Sequence, residues 1–211
     1  MNAQPRPSLQ TERELWQAGY HRVAGLDEAG RGAWAGPVYA AAVLFPQFEV
    51  VPEALAGVRD SKLLSARQRE VQFERIVATA LTYGVGFATA EEIDQQGIVP
   101  GTQLAMHRAL AQLGPAAQAL IIDALQLPTV RLPQRSFPHA DALSLTVAAA
   151  SILAKVSRDH WMAGEAATRF PGYGFAQHKG YGTVQHRTAL DKLGVSAIHR
   201  CTFRPVAARL R

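Results

Sequence analysis

The sequence predicts an α/β fold: a mixed central sheet flanked by helices, followed by a small, basic, mainly helical C-terminal part. Three observations predict it. Short apolar runs at residues 23–26, 38–45, 83–88 and 119–122 have the length and composition of buried strands. Strands come first, and then alternate with longer segments at helical spacing. With 211 residues, 48% of them hydrophobic, the chain can bury a full core as one domain.

In chain order, residues 1–20 are expected to form a short extension with an amphipathic helical turn around 9–16. Val23-Ala24-Gly25-Leu26 reads as the end of a buried strand, and Val-Tyr-Ala-Ala-Ala-Val-Leu-Phe at 38–45 as a second, closed by a proline-marked loop. Ser65-Ala66-Arg67-Gln68 is a capping-box pattern that starts a helix reaching about residue 81. A short strand at 83–88 precedes a helix at 102–113 that Gly114-Pro115 ends. The strand at 119–122 stops at Asp123, a long helix spans about 143–164, and another lies near 183–193. Residues from about 165 to 211 make up the C-terminal part.

Composition narrows the class. The single cysteine, Cys201, excludes a disulfide framework and any multi-cysteine zinc site. No N-terminal stretch reads as a secretory signal, and no segment reaches the ~18 apolar residues a membrane span needs. A cytoplasmic protein is the expectation. Residues 1–149 carry 12 Lys/Arg against 14 Asp/Glu, whereas residues 150–211 carry 10 against 3. A negative first part and a C-terminal part of net +7 fit a site of acids beside a segment that tracks a polyanion.

The chemistry is concentrated in Gly25-Leu26-Asp27-Glu28-Ala29-Gly30-Arg31-Gly32. A buried strand that finishes in two adjacent carboxylates needs a compensating cation or hydrogen bonds, because desolvating neighbouring like charges is costly. Gly30 and Gly32 let the backbone approach a ligand, and Arg31 offers a fork for phosphate. Asp123 repeats the pattern, delivered by Leu120-Ile121-Ile122 to the edge of the sheet where ligands gather in α/β folds. Asp141 is expected at the start of the long helix, whose Ala148, Ala149, Ala150, Ser151 and Ala154 allow a close approach to the sheet. Together Asp27, Glu28, Asp123 and Asp141 can hold two divalent ions about 3.5–4 Å apart. Oxygen-only ligands favour Mg²⁺ or Mn²⁺ over zinc. Adjacent strand residues point to opposite faces, so Asp27 and Glu28 are expected to share a site only where the strand ends or distorts.

These motifs, continued by Asp60-Ser61-Lys62, Ile122-Asp123, the stretch from Asp141 to Asp159 and Lys179-Gly180-Tyr181-Gly182-Thr183, resemble bacterial type 2 ribonuclease H (ribonuclease HII). The resemblance runs from about residue 23 to 186. It implies a ribonuclease H-like fold and cleavage of the RNA strand in RNA–DNA hybrids. It also implies incision of duplex DNA on the 5′ side of an embedded ribonucleotide, leaving a 3′-hydroxyl and a 5′-phosphate. In that family's pattern Asp27, Glu28, Asp123 and Asp141 match the metal-binding catalytic carboxylates. Gly30, Arg31 and Gly32 match the motif that reads the ribose 2′-hydroxyl at the DNA–RNA junction; Tyr181 matches the tyrosine that stacks near the junction sugar. Lys62 matches a lysine that contacts backbone phosphate. The chain departs from the pattern at Ala124, where glycine is frequent, at Ala33-Trp34, and in Ser136-Phe-Pro-His139-Ala140 before Asp141.

Other residues invite functional readings with simpler alternatives. His178 and His186 fit phosphate contacts or satisfied surface imidazoles; Glu91, Glu92 and Asp94 fit a helix start; Asp159 fits a pair with Arg158; Asp60 fits a turn. A non-catalytic hybrid-binding protein would need a broken carboxylate set, and a DNA-directed nuclease would not need a 2′-hydroxyl reader. The tail 206–211 has no short hydrophobic motif of the kind a sliding clamp takes, and a monomer is expected.

Overall fold

The computed structural model describes residues 6–210; the first five residues of the expected extension and Arg211 of the tail lie outside them. Helix α1 (Gln10–Gln17) leads into strands β1 (Val23–Ala29) and β2 (Val38–Leu44), then helix α2 (Ala66–Thr79) and strand β3 (Thr82–Ala88). Helices α3 (Ala90–Gln96) and α4 (Ile98–Gln112) precede strands β4 (Ala119–Asp123) and β5 (Gln134–Phe137). A short helix α5 (Ala140–Leu143) and the long α6 (Leu145–Trp161) follow, and a wide π-type turn (Met162–Ala166) carries the chain into α7 (Ala167–Arg169). The C-terminal part holds α8 (Phe175–His178), α9 (Val184–Leu193) and α10 (Arg204–Ala207).

The five strands form one mixed sheet in the order β3-β2-β1-β4-β5. β1 runs antiparallel to β2 and parallel to β4, in a register that sets Leu26 beside Ile122. The expected α/β architecture is therefore observed. Ala24, Leu26, Leu120 and Ile122 pack with Ala105, Met106 and Ala109 of α4, while Ala29, Ala41 and Val43 pack with the alanines of α6 on the opposite side. Gly25 makes the second contact possible: a Cβ there would stand 2.3 Å from the Thr146 carbonyl carbon. Among the described residues, no helix is long and apolar enough to cross a membrane.

Several elements depart from expectation. β1 does not stop before Asp27 but continues through Glu28 to Ala29, since its ladder with β2 extends to the Ala29–Tyr39 pair. α4 starts at Ile98 rather than 102, because Pro100 lies in the first turn, where a missing N–H costs no helical bond. The helix expected over 143–164 is broken at Ser144, which is extended and caps α6 by accepting from the Val147 N–H; Asp141 consequently sits on α5. β5 was not signalled by Gln134-Arg135-Ser136-Phe137, a half-buried edge strand without apolar alternation. The extension is tied into the fold: Ser8 N–H donates to Leu143 O at 2.9 Å, and Leu145 N–H donates to Ser8 O at 3.0 Å. Glu12 is fully buried and its Oε1 accepts from Ser144 Oγ, Thr146 N and Thr146 Oγ1, anchoring α1 on the start of α6.

Candidate active site

The register of β1 and β4 places Asp27 and Asp123 one step beyond the Leu26–Ile122 pair, at neighbouring positions on the C-terminal edge of two parallel strands. Hydrogen bonds to main-chain N–H groups orient both. Asp27 Oδ1 accepts from the Glu28 N–H at 2.7 Å, and Asp123 Oδ1 accepts from the Ala140 N–H at 2.8 Å, which couples the end of β4 to the start of α5. Asp141, the next residue on α5, is only 3% exposed and lies 3.5 Å from Lys62 Nζ. Lys62 projects from a short 3₁₀ turn (Ser61–Leu63) that Asp60 caps, and Ser61 N–H donates to Ser151 Oγ on α6. The lysine expected at a phosphate thus also sits over a carboxylate.

The site carries concentrated negative charge. Burial, then Glu28 and Asp123, hold the Asp27 carboxyl well above its ordinary pKa. Burial also raises Glu28, against the opposing pull of Arg31, and raises Asp141, with Asp60 adding to the effect. For Lys62, burial acts downward, but Asp60, Asp141 and Asp27 outweigh it and the ammonium pKa rises. The strand neither ends nor slips register between Asp27 and Glu28, so the condition expected for a shared site is not met. Glu28 stays in the ladder, Arg31 Nη1 holds its Oε1 at 3.2 Å, and its Oε2 is buried without a hydrogen-bond partner.

As the side chains are placed, no three His, Cys, Asp or Glu residues among those described are gathered tightly enough to form a ready metal cage. The donor set nevertheless fits a divalent cation. It is all oxygen, it is buried, it contains an orphaned carboxylate oxygen, and its charges raise one another's pKa, which a cation would reverse.

Beside the carboxylates, the segment from Gly30 to Pro37 is fixed from below by two buried arginines that sequence reasoning missed. Arg158 donates from Nε to Pro37 O and from Nη2 to Ala35 O; Arg200 donates from Nε and Nη2 to Gly36 O and from Nη1 to Arg31 O. Neither has a carboxylate within salt-bridge distance among the described residues, and Arg158 Nη1 has no partner at all. Burial pushes both guanidinium pKa values down, that of Arg200 to about 9. Gly30 has φ +95° and rests directly on Arg158, since a Cβ there would lie 2.0 Å from Nε. This position requires glycine on both counts. No pattern of apolar spacing announces such arginines, because their partners are carbonyls up to 169 residues away.

Tyr181 is drawn to the same place. Gly180 O accepts from the N–H groups of Trp34 and Ala35, and the Tyr181 ring lies 5.5 Å from Lys155 Nζ and 5.2 Å from Arg158 Cζ. Trp34 packs its ring against Gly182, so the departure at Ala33-Trp34 fills the base of this loop. Gly30 and Tyr181 thus both meet Arg158, while Arg31 pairs with Glu28 and Lys62 with Asp141. Three other readings change. Asp159 pairs with Lys155 at 2.8 Å and with Arg69, not with Arg158. Glu91 and Glu92 do start α3, with Thr89 and Glu92 as its capping box, but Asp94 instead accepts from the N–H groups of Cys201 and Thr202. His178 and His186 are buried rather than on the surface.

Comparison with known proteins gives the family and the fold. The family model described as Ribonuclease HII matches residues 24–206. Ribonuclease HII of Chloroflexus aurantiacus is 54% identical over 205 residues, 97% of this chain and 96% of that one. Ribonuclease HII of Roseiflexus castenholzii is 49% identical over 201 residues, 95% of this chain and 89% of that one. In fold, the chain is similar to the crystal structure of ribonuclease H2 from Pyrococcus horikoshii, with a TM-score of 0.73 at 24% identity over 89% of this chain and 96% of that one. A family match over nearly the whole chain, on a ribonuclease H-like fold, shows that this protein belongs to the ribonuclease HII family and is a ribonuclease H.

Proposed function

We propose that this protein is a metal-dependent endonuclease that cuts the RNA strand of RNA–DNA hybrids and incises duplex DNA 5′ of an embedded ribonucleotide, leaving a 3′-hydroxyl and a 5′-phosphate. The observation that carries the reading is the juxtaposition of Asp27 and Asp123 at neighbouring strand ends with the arginine-backed Gly30–Tyr181 surface. Asp27, Glu28, Asp123 and Asp141 would hold the cation, and their oxygen donors favour Mg²⁺ or Mn²⁺. When bound, divalent ions supply activation of the attacking water and stabilisation of the departing 3′-oxygen.

The protein's own groups do the rest. The Ala140 N–H keeps Asp123 aimed at the strand edge, and Lys62 offsets the charge on Asp141 while reaching for a backbone phosphate. Main-chain groups at Gly30–Gly32, with no side chain on either glycine, meet the 2′-hydroxyl, which both donates and accepts a hydrogen bond and alone separates RNA from DNA there. Tyr181 stacks near the junction sugar, and Arg31 offers its guanidinium to phosphate. The basic C-terminal part follows the nucleic-acid backbone, so little base preference is expected. In this reading the chain is one catalytic domain that works as a cytoplasmic monomer.

The test is a DNA duplex with one ribonucleotide, incubated with Mg²⁺, Mn²⁺ or EDTA, with the cut mapped. Metal-dependent incision 5′ of the ribonucleotide with a 5′-phosphate product supports the full reading. Cleavage of a continuous hybrid alone would remove the junction role, and binding without any cleavage would overturn the catalytic one.

A further inference from the structure

Under the Tyr181 loop lie three buried histidines that the carboxylate chemistry does not use: His178, His186 and His199. Their hydrogen bonds fix every ring proton. The Gly180 N–H donates to His178 Nδ1 at 3.1 Å, so that nitrogen is bare and the proton sits on Nε2, which donates to Tyr173 O at 2.7 Å. Tyr181 O can only accept, so His186 Nδ1 carries the proton of the 3.0 Å contact between them. His186 Nε2 is then an acceptor, and among the described residues its donor is His199 Nε2 at 3.0 Å. That leaves His199 Nδ1 to accept from the N–H and Oγ–H of Ser196, at 3.0 and 2.8 Å. All three rings are neutral, and every ring nitrogen is engaged, which excludes them as metal ligands without rearrangement.

The row has a direction. From Ser196 through His199 and His186 it ends on the carbonyl of Tyr181, while His178 holds the adjoining Gly180 N–H and stacks on His186 with ring centroids 4.4 Å apart. The Tyr181 side chain faces Lys155 and Arg158 on the substrate side, and Gly180 O receives Trp34 and Ala35 from the glycine–arginine–glycine segment. We propose that His186, backed by His199 and Ser196, is a positioning residue for Tyr181. It fixes the main chain at 180–182 so that the phenol ring is presented at one place beside Gly30–Gly32, and it thereby sets the preference for a ribonucleotide at a junction. This rests on the reading of Tyr181 as the residue that stacks near the junction sugar.

The experiment compares kcat/KM on a duplex with one embedded ribonucleotide with kcat/KM on a continuous RNA–DNA hybrid, as a ratio. His186→Phe keeps the ring and removes the donor, and His186→Asn restores a donor near the Nδ1 position. His186→Phe should lower the ratio about tenfold, the scale of one lost buried hydrogen bond, and His186→Asn should recover most of it. A folded His186→Phe with the wild-type ratio overturns the proposal, because a role in packing alone predicts no change in selectivity. Tyr181→Ala separates the two failures. If it lowers the ratio while His186→Phe does not, the positioning role is wrong and the reading of Tyr181 stands; if it changes nothing, that reading falls and the proposal falls with it. Should His186→Phe not fold, nitrogen NMR of the wild-type protein decides. Protons on Nε2 of His178, Nδ1 of His186 and Nε2 of His199 support the row, and an Nε2–H tautomer at His186 overturns it.

Discussion

Acid should unlock the C-terminal part through its histidines. Burial pushes the imidazole pKa of His186 and of His199 down to about 4 from an ordinary 6.5, with His178 adding repulsion at both rings. The folded state keeps both rings neutral while the unfolded chain protonates them near 6.5. Their contribution to stability is therefore intact above pH 6.5 and declines as pH falls from there towards 4. At pH 5 each ring costs about 2 kcal/mol, from roughly 1.5 pH units of one-proton linkage at 1.36 kcal/mol each. Because the two share one hydrogen bond, they titrate as a pair, and about 2–4 kcal/mol is the joint expectation. That is a large part of a typical 5–15 kcal/mol domain stability. The raised carboxyls of Asp27, Glu28 and Asp141 act with the opposite sign, since a fold that binds those protons more tightly gains stability in acid. The comparison must therefore be differential. Urea unfolding of the wild type and of His186→Gln/His199→Gln, at pH 7.5 and 5.0 and constant ionic strength, should show the wild-type advantage shrinking by those 2–4 kcal/mol. A difference that stays constant to within about 0.5 kcal/mol would refute the assignment of neutral, proton-resisting rings.

Further outcomes are expected at the site. Asp123→Asn should keep substrate binding and lose cleavage by several orders of magnitude, measured by single-turnover assay beside a binding titration; near-normal turnover would remove Asp123 from the machinery. Lys62→Met should weaken duplex binding and reduce the slope of log affinity against log salt by about one, the signature of one lost phosphate contact. An unchanged slope would confine Lys62 to its partnership with Asp60 and Asp141. Ala124 holds φ +54°, a left-handed conformation, so Ala124→Gly should stabilise the protein by about 0.5–1 kcal/mol in denaturant unfolding, less the entropy glycine adds to the unfolded chain. A loss of stability would show that the Ala124 methyl contributes more than its strain removes.

Local signals made the central carboxylates legible. Asp27 and Asp123 each follow an apolar run, and a buried strand leading into an acid is a pattern that packing alone does not favour. The alanines of α6 announced its close contact with the sheet. What stayed hidden depended on long-range partners. The break at Ser144 arises because Glu12 and Ser8, more than 130 residues earlier, bind the groups that a continuous helix would have used. β5 is an edge strand whose polar residues give no period-two pattern. Glu28 was expected to share the Asp27 site only if the strand ended or distorted there, yet the β1–β2 ladder runs on through it to Ala29. The buried arginines and histidines were invisible because their partners are main-chain carbonyls or one another, and sequence patterning reports burial of apolar groups far better than satisfaction of polar ones.

The clasp that Arg200 makes on Arg31 O and Gly36 O also carries a message about biosynthesis. The glycine–arginine–glycine segment leaves the ribosome early, but one of the two guanidinium groups that fix the segment is encoded 169 positions later. At roughly 5–20 residues per second, about 8–34 s separate the two. During that interval the nascent chain can already pair β1 with β2, yet the surface proposed to meet a ribonucleotide lacks one of its two arginine supports. Completion of that surface therefore waits on the last part of the chain, after the sheet strands have been made.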